Sequence, residues 1–285
     1  METSIKAYAK INLALNVYDK RDDGYHNIDM VAIPLALHDI IELETLPRGY
    51  ETFITSDDAS LPTDESNLTF IALNRLREHY QIKQNFMMHI YKRIPMNAGL
   101  GGGRANAAAV MNVLLKLIKE KPSYEKLIQI ARSTGGDVAF CLFNKPARCK
   151  GIGEELEFIK VKKKYYILLI KPMEGVSTAR AFNDYDNLDP KPEKSNIARL
   201  VEALEKGDDE VIAQEMKNGL QESAAKLVPE IVTLVNKLKE DGFPLSMMSG
   251  SGSTVFAMST DKKKILEESK KFDKEKYQII ITSTL

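Results

Sequence analysis

Ile94-Pro-Met-Asn-Ala-Gly-Leu-Gly-Gly-Gly-Arg-Ala-Asn-Ala-Ala-Ala109 decides how the chain is read. Four glycines, Gly99, Gly101, Gly102 and Gly103, fall within five residues, and a run of good helix formers follows at once. Upstream, Phe86 to Arg93 has the character of a strand, so the order is strand, glycine loop, helix. Glycines accept positive φ and let backbone amides approach a ligand without side-chain obstruction. The unpaired N–H groups and positive dipole end of a helix start favour an anion such as phosphate.

On glycine density alone a plain turn or hinge explains the stretch as well. The better-known phosphate patterns are absent. No Gly-Lys-Ser/Thr closes the loop, the spacing is no clean dinucleotide fingerprint, and the protein-kinase signature set is missing.

Working outward, the 285 residues suffice for one large domain or two ordinary ones, at 44% hydrophobic and 28% charged content. Forty basic residues balance forty acidic ones, so no net field recruits nucleic acid or an anionic membrane. No apolar run approaches the roughly 20 residues of a membrane span. The N-terminus lacks a signal peptide's apolar core. Cys141 and Cys149, with four scattered histidines, make neither a disulfide framework nor a zinc site. They read as small buried hydrophobes in a reducing cytoplasm, and the expected location is cytoplasmic.

Toward the N-terminus, Ile5 to Val17 alternates like a half-buried strand, with Lys10 and Asn12 on the polar parity. By pattern alone that face is solvated. Asp23-Gly24 marks a turn, leaving Tyr25 and His26 just past a hairpin bend, where packing is the plain explanation. Residues 28 to 56 read as short strands with polar turns, and Asn67 to Tyr80 as an amphipathic helix. Downstream, helices are expected over Ala105–Lys119 and Tyr124–Arg132. Asp137, after Gly135-Gly136, reads as a cap heading an apolar strand. Tyr165 to Lys171 is a buried strand, Ser195 to Lys239 helical with a break at Val228-Pro229. Gly250-Ser-Gly252 joins two apolar segments, and a helix (262 to 272) and strand (277 to 284) close the chain.

Pro95-x-x-x-Gly99-Leu-Gly-Gly-Gly-x-x-Asn106-Ala-Ala resembles the phosphate loop of the GHMP kinases, which include galactokinase, homoserine, mevalonate and phosphomevalonate kinases. Ala7-Tyr-Ala-Lys10-Ile-Asn12-Leu is similar to that family's opening motif, whose lysine and asparagine point into the active site. Gly135-Gly136-Asp137-Val-Ala-Phe140 resembles its Gly-x-Asp motif, Gly175-Val-Ser-Thr178 a helix-opening segment, and Gly250-Ser251-Gly252 its last glycine motif, facing the substrate side of the phosphates. Arg21-Asp-Asp-Gly-Tyr25-His26 resembles the hallmark of one branch, serving the non-mevalonate isoprenoid pathway. There the tyrosine stacks on a cytosine and the histidine hydrogen-bonds its edge. Base stacking of this kind is worth about 1–3 kcal/mol.

The resemblance implies an α+β, two-domain GHMP kinase fold. It would have a ribosomal-protein-S5-like nucleotide domain (residues 1–158) and a ferredoxin-like substrate domain (159–285). It implies ATP and Mg²⁺, with the γ-phosphate passing to the 2-hydroxyl of a cytidine-diphosphate-linked methylerythritol. Lys10 would orient the reacting groups and Asp137 would accept the proton. Pro95, Asn97, Ala98, Gly99, Leu100, Gly101, Gly102, Gly103, Arg104, Ala105 and Asn106 would hold ATP. Asn12, Tyr25, His26, Asp137 and Phe182 would hold the substrate, with Gly250, Ser251 and Gly252. No protein residues are expected to form a dedicated metal site, and a monomer or weak homodimer is the expected state.

Three positions depart from the family pattern. Arg104-Ala105 stands where Ser-Ser is usual, Ala139 replaces proline or serine, and Asn218-Gly-Leu-Gln221 replaces Asn-Asp-Leu-Glu. Two rival readings stay open: a GHMP kinase acting on another alcohol, and a ligand-binding paralogue without phosphoryl transfer. The Tyr25-His26 pair opposes the first; Lys10 and Asp137 oppose the second, while Arg104-Ala105 favours it.

Overall fold

The computed structural model describes residues 2–285. They form two compact units, neither of them a continuous stretch. One gathers the chain up to Ala9 with Leu37–Met96 and Gly101–Asn144; the other gathers Lys10–Ala36, Asn97–Leu100 and Lys145–Leu285. Two long paired strands, β1 (Glu2–Lys20) and β2 (His26–Leu46), contribute to both.

In the first unit, β3 (Phe53–Ser56), α1 (Leu68–Tyr80), β4 (Asn85–Tyr91) and α2 (Gly102–Leu117) follow in order, then α3 (Tyr124–Thr134) and α4 (Val138–Phe143). Here β4 pairs antiparallel with the second half of β2 and parallel with β3. Asn67 and Ser123 cap α1 and α3 by accepting the Thr69 and Lys126 amides, contacts worth about 1 kcal/mol each. Buried Ala105, Ala107, Ala108 and Ala109 let α2 lie close against α1 and α4.

The second unit contains β5 (Ala147–Gly151), β6 (Glu155–Phe158), β7 (Tyr166–Pro172) and α5 (Thr178–Asp186). Four helices follow, α6 (Ile197–Lys206), α7 (Asp209–Glu215), α8 (Gln221–Leu227) and α9 (Glu230–Glu240). β8 (Ser246–Met248), β9 (Val255–Ser259), α10 (Lys262–Ser269) and β10 (Tyr277–Ser283) complete it. The first half of β2 pairs with β5, which pairs with β6. A separate antiparallel sheet runs β10-β7-β9-β8, with α9 and α10 packed on it.

The structure differs from the sequence reading in four places. Where short strands with polar turns were expected over residues 28 to 56, β2 continues unbroken to Leu46, and its polar Asp39 is fully buried and accepts backbone amides. α2 begins inside the glycine run, at Gly102. Val138–Phe143 is helical; a short apolar run buried throughout has no periodicity to separate helix from strand. Ser195 to Lys239 breaks also at Gly207, left-handed and followed by the Asp208 cap, and at Met216–Leu220, whose backbone turns aside to bond β1. Cys141 and Cys149 are buried, as expected. Among the described residues no helix is long and apolar enough to cross a membrane.

Candidate active site

Three segments far apart in sequence converge within the second unit. β1 brings Lys10 and Asn12, and the Lys10 ammonium donates to the Asn12 Oδ1 atom. Both side chains are buried, so the polar parity of this strand is not a solvated face. The Lys10 amide donates to the Leu100 carbonyl at 3.0 Å, which ties β1 to residues 97–100 of the glycine loop. The loop between β8 and β9 closes over both. A Cβ on Gly250 would lie 2.8 Å from the Gly99 carbonyl oxygen, 3.1 Å from Lys10 Nζ and 3.3 Å from Asn12 Oδ1. Only glycine fits, and Gly250 also has positive φ (56°).

Polar side chains hold these loops. Ser249 Oγ donates to the Gly99 carbonyl at 3.0 Å, and Thr178 Oγ1 meets Ser251 Oγ at 2.9 Å. The Asn218 amide donates to the Met248 and Gly250 carbonyls at 2.9 and 2.8 Å, and its Oδ1 accepts the Leu220 amide. Gly219 donates its amide to Leu15 at 2.8 Å, and Gln221 Oε1 accepts the Met248 amide at 3.0 Å. The departures in this tetrapeptide thus have local work: glycine fits against β1, and the glutamine amide braces β8.

A second cluster in the same unit surrounds His26. Its ring is buried and stacks on Phe182, centroids 5.0 Å apart at 26°. Tyr185 stands edge-on at 6.2 Å, and its hydroxyl donates to the Val17 carbonyl. His26 Nε2 lies 2.6 Å from Asp186 Oδ1, with Lys20 3.5 Å from the other oxygen. Burial pushes the Asp186 carboxyl up, but the hydrogen bond from His26 and the nearby Lys20 ammonium outweigh it and hold it below its ordinary value. Tyr25, by contrast, is 58% exposed and available as a platform.

In the first unit Gly101 caps α2 with φ 73° and no side-chain bond, so the first turn's amides depend on other partners. Behind them Asp39 accepts the Arg93 and Ile94 amides on Oδ1 (2.7 and 2.8 Å). Its Oδ2 takes the Asn106 amide (2.9 Å) and the Lys92 ammonium. Pro95, Gly102, Gly103 and Arg104 are half-buried, while Ala98, Leu100, Ala105 and Asn106 are buried, so those residues offer main-chain rather than side-chain atoms. Asp137 is half-buried at the start of α4.

Sequence reasoning missed Asp39, Asp186 and the bracing role of Asn218. Asp186 left a signal: it follows Phe182 by four residues, which puts both on one face of α5.

The family model for the GHMP kinases N terminal domain matches residues 67–145, and that for the GHMP kinases C terminal matches residues 200–278. The chain belongs to the GHMP kinases, the ATP-dependent small-molecule kinases that its loops resemble. A 4-diphosphocytidyl-2-C-methyl-D-erythritol kinase of Clostridium acetobutylicum is 35% identical over 283 residues, covering 99% of this chain and 100% of that one. One of Clostridium beijerinckii is 37% identical over 284 residues, covering 99% of both. A crystal structure of 4-(cytidine 5'-diphospho)-2C-methyl-D-erythritol kinase superposes with TM-score 0.79 at 26% identity, over 99% of this chain and 98% of that one. Homoserine kinase from Cytophaga hutchinsonii gives the same TM-score at 20% identity, over 100% and 94%, and so shares the fold. Within the GHMP kinases this chain stands with the 4-diphosphocytidyl-2-C-methyl-D-erythritol kinases.

Proposed function

We propose that the protein transfers the γ-phosphate of ATP to the 2-hydroxyl of 4-diphosphocytidyl-2-C-methyl-D-erythritol. The observation that carries this reading is the buried convergence of Lys10 and Asn12 with Gly99 and Gly250. A fixed cation beside two glycine loops is what a reaction dominated by charge and positioning requires. Lys10 orients the reacting groups. Asp137 accepts the hydroxyl proton, as a positioned carboxylate can. Main-chain amides from Gly99 to Ala105 cradle the phosphates, with Pro95, Asn97 and Asn106 shaping the loop, and Arg104 adds a guanidinium suited to phosphate oxygens.

Tyr25 forms the platform for the cytosine, His26 reads its edge, and Phe182 closes the group from the far side of His26. Gly250, Ser251 and Gly252 face the phosphate side of the substrate. The nucleotide part spans 1–158 and the substrate part 159–285, a division the two matched family segments straddle. The enzyme works in the cytoplasm as a monomer or weak homodimer.

Bound with ATP, Mg²⁺ would supply neutralisation of charge on the phosphates. No group of three or more His, Cys, Asp or Glu side chains is gathered for a metal among the described residues. Mg²⁺ usually keeps its waters and takes one or two carboxylates plus substrate phosphates, so the single carboxylate of Asp137 fits.

An ADP-release assay with this substrate and ATP tests the proposal. Wild-type turnover that falls about 10²- to 10⁴-fold in Asp137→Ala, with the cytidine ligand still bound, is the expected result. A folded wild type without turnover would overturn it.

A further inference from the structure

We infer that Asp186 determines base specificity: by accepting the Nε2 proton of His26, it leaves Nδ1 as a bare acceptor that takes the 4-amino group of cytosine and refuses uracil. This rests on the reading of Tyr25 and His26 as the base site.

The geometry supplies the steps. His26 Nε2 and Asp186 Oδ1 are 2.6 Å apart, a charge-assisted distance. A carboxylate is an acceptor only, so the proton between them belongs to the imidazole nitrogen. Lys20, 3.5 Å away, favours the ionised acid, and the carboxyl is held low. In a neutral imidazole one nitrogen donates and the other accepts, which makes Nδ1 the acceptor. The ring cannot swing to exchange the two: Phe182 covers its face and Tyr185 its edge, the latter anchored on the Val17 carbonyl. Phe182 and Asp186 sit one helical turn apart on α5, so a single element sets both the ring's plane and its tautomer.

Cytosine carries an amino donor at position 4, where uracil carries a carbonyl acceptor. Against a bare Nδ1 the amino group donates, whereas the carbonyl leaves two acceptors facing each other. Sites built around a specific hydrogen bond reject the ligand that cannot make it far more strongly than apolar pockets reject an extra methylene.

The test is calorimetric binding of CDP and UDP to the full-length protein at mildly alkaline pH, for wild type, Asp186→Asn and Asp186→Ala. An asparagine can turn its NH₂ toward Nε2, which then becomes the acceptor and moves the proton to Nδ1. The expected result is a wild-type preference for CDP of about 100-fold that falls at least about tenfold in Asp186→Asn, with UDP not weakened. In Asp186→Ala both ligands weaken and the preference shrinks. The ¹⁵N shifts of His26 in the unliganded wild type should report an Nε2-protonated ring, a readout independent of how the variants fold. A wild type that prefers CDP beside an Asp186→Asn variant keeping that ratio overturns the inference alone, as does an Nδ1-protonated wild-type ring. A wild type that does not distinguish CDP from UDP overturns the base-site reading beneath it.

Discussion

Gly99 and Ser249 meet backbone to backbone: a Cβ placed on Gly99 would lie 2.0 Å from the Ser249 carbonyl oxygen. The Ser249 hydroxyl returns the contact by donating to the Gly99 carbonyl at 3.0 Å. Two glycine motifs 150 residues apart are thereby locked into one object, against which Lys10 and Asn12 rest.

Gly99→Ala is therefore expected to be severe. Alanine at φ 70° is strained, and the methyl group meets a carbonyl that cannot rotate away. Urea unfolding should show a loss of about 2 kcal/mol or more, and phosphoryl transfer should fall with it.

Asn218→Ala removes the donor of two buried hydrogen bonds, leaving the Met248 and Gly250 carbonyls unpaired. Each orphaned group costs about 1–3 kcal/mol. A lower urea midpoint is expected, together with a rise in KM for the alcohol substrate, because the Gly250 loop loses its brace.

Asp39→Asn keeps an oxygen for the Arg93 and Ile94 amides but removes the charge that faces buried Lys92. Breaking a buried pair costs about 3–5 kcal/mol. The variant should be less stable by that order in denaturant titration. At temperatures where it stays folded, KM for ATP should rise more than KM for the alcohol, since the network holds the approach to α2.

Arg104→Ala tests the guanidinium at the start of α2. If Arg104 contacts phosphate, the variant loses a charged hydrogen bond worth about 1.5–3 kcal/mol. ATP affinity by calorimetry should then fall roughly tenfold or more, while CDP affinity stays unchanged.

The pH dependence of stability should reveal Asp186. Its carboxyl is held below the ordinary 3.8, so the folded state binds fewer protons than the unfolded chain around that pH. The contribution is complete above the unfolded pKa and is lost as pH falls through the lower folded value. Urea midpoints of wild type and Asp186→Ala should accordingly differ near neutrality and converge under strong acid.

Much of this architecture was legible because glycine motifs and strand alternation are written locally. The strand-loop-helix order around Gly99 and the Asp23-Gly24 bend came out as read, the latter closed by the Arg21 amide on the Tyr25 carbonyl at 2.7 Å. Lys10 and Asn12 sat on a face that pattern alone made solvated, since parity says which residues share a face but not what covers it. Asp39 was missed because nothing local marks a carboxylate inside a long strand as the acceptor for amides some 55 residues away. Val138–Phe143 failed for want of any period. The His26–Asp186 pair joins residues 160 apart, which no local rule reaches.

The cap of α2 is a bare glycine, Gly101, with no side-chain hydrogen bond of its own. Main-chain N–H groups do not depend on which side chains stand beside them, so the donors at this helix start are the same with Arg104-Ala105 as they would be with Ser-Ser. What this chain supplies there is the path of the backbone, set by a residue with no side chain.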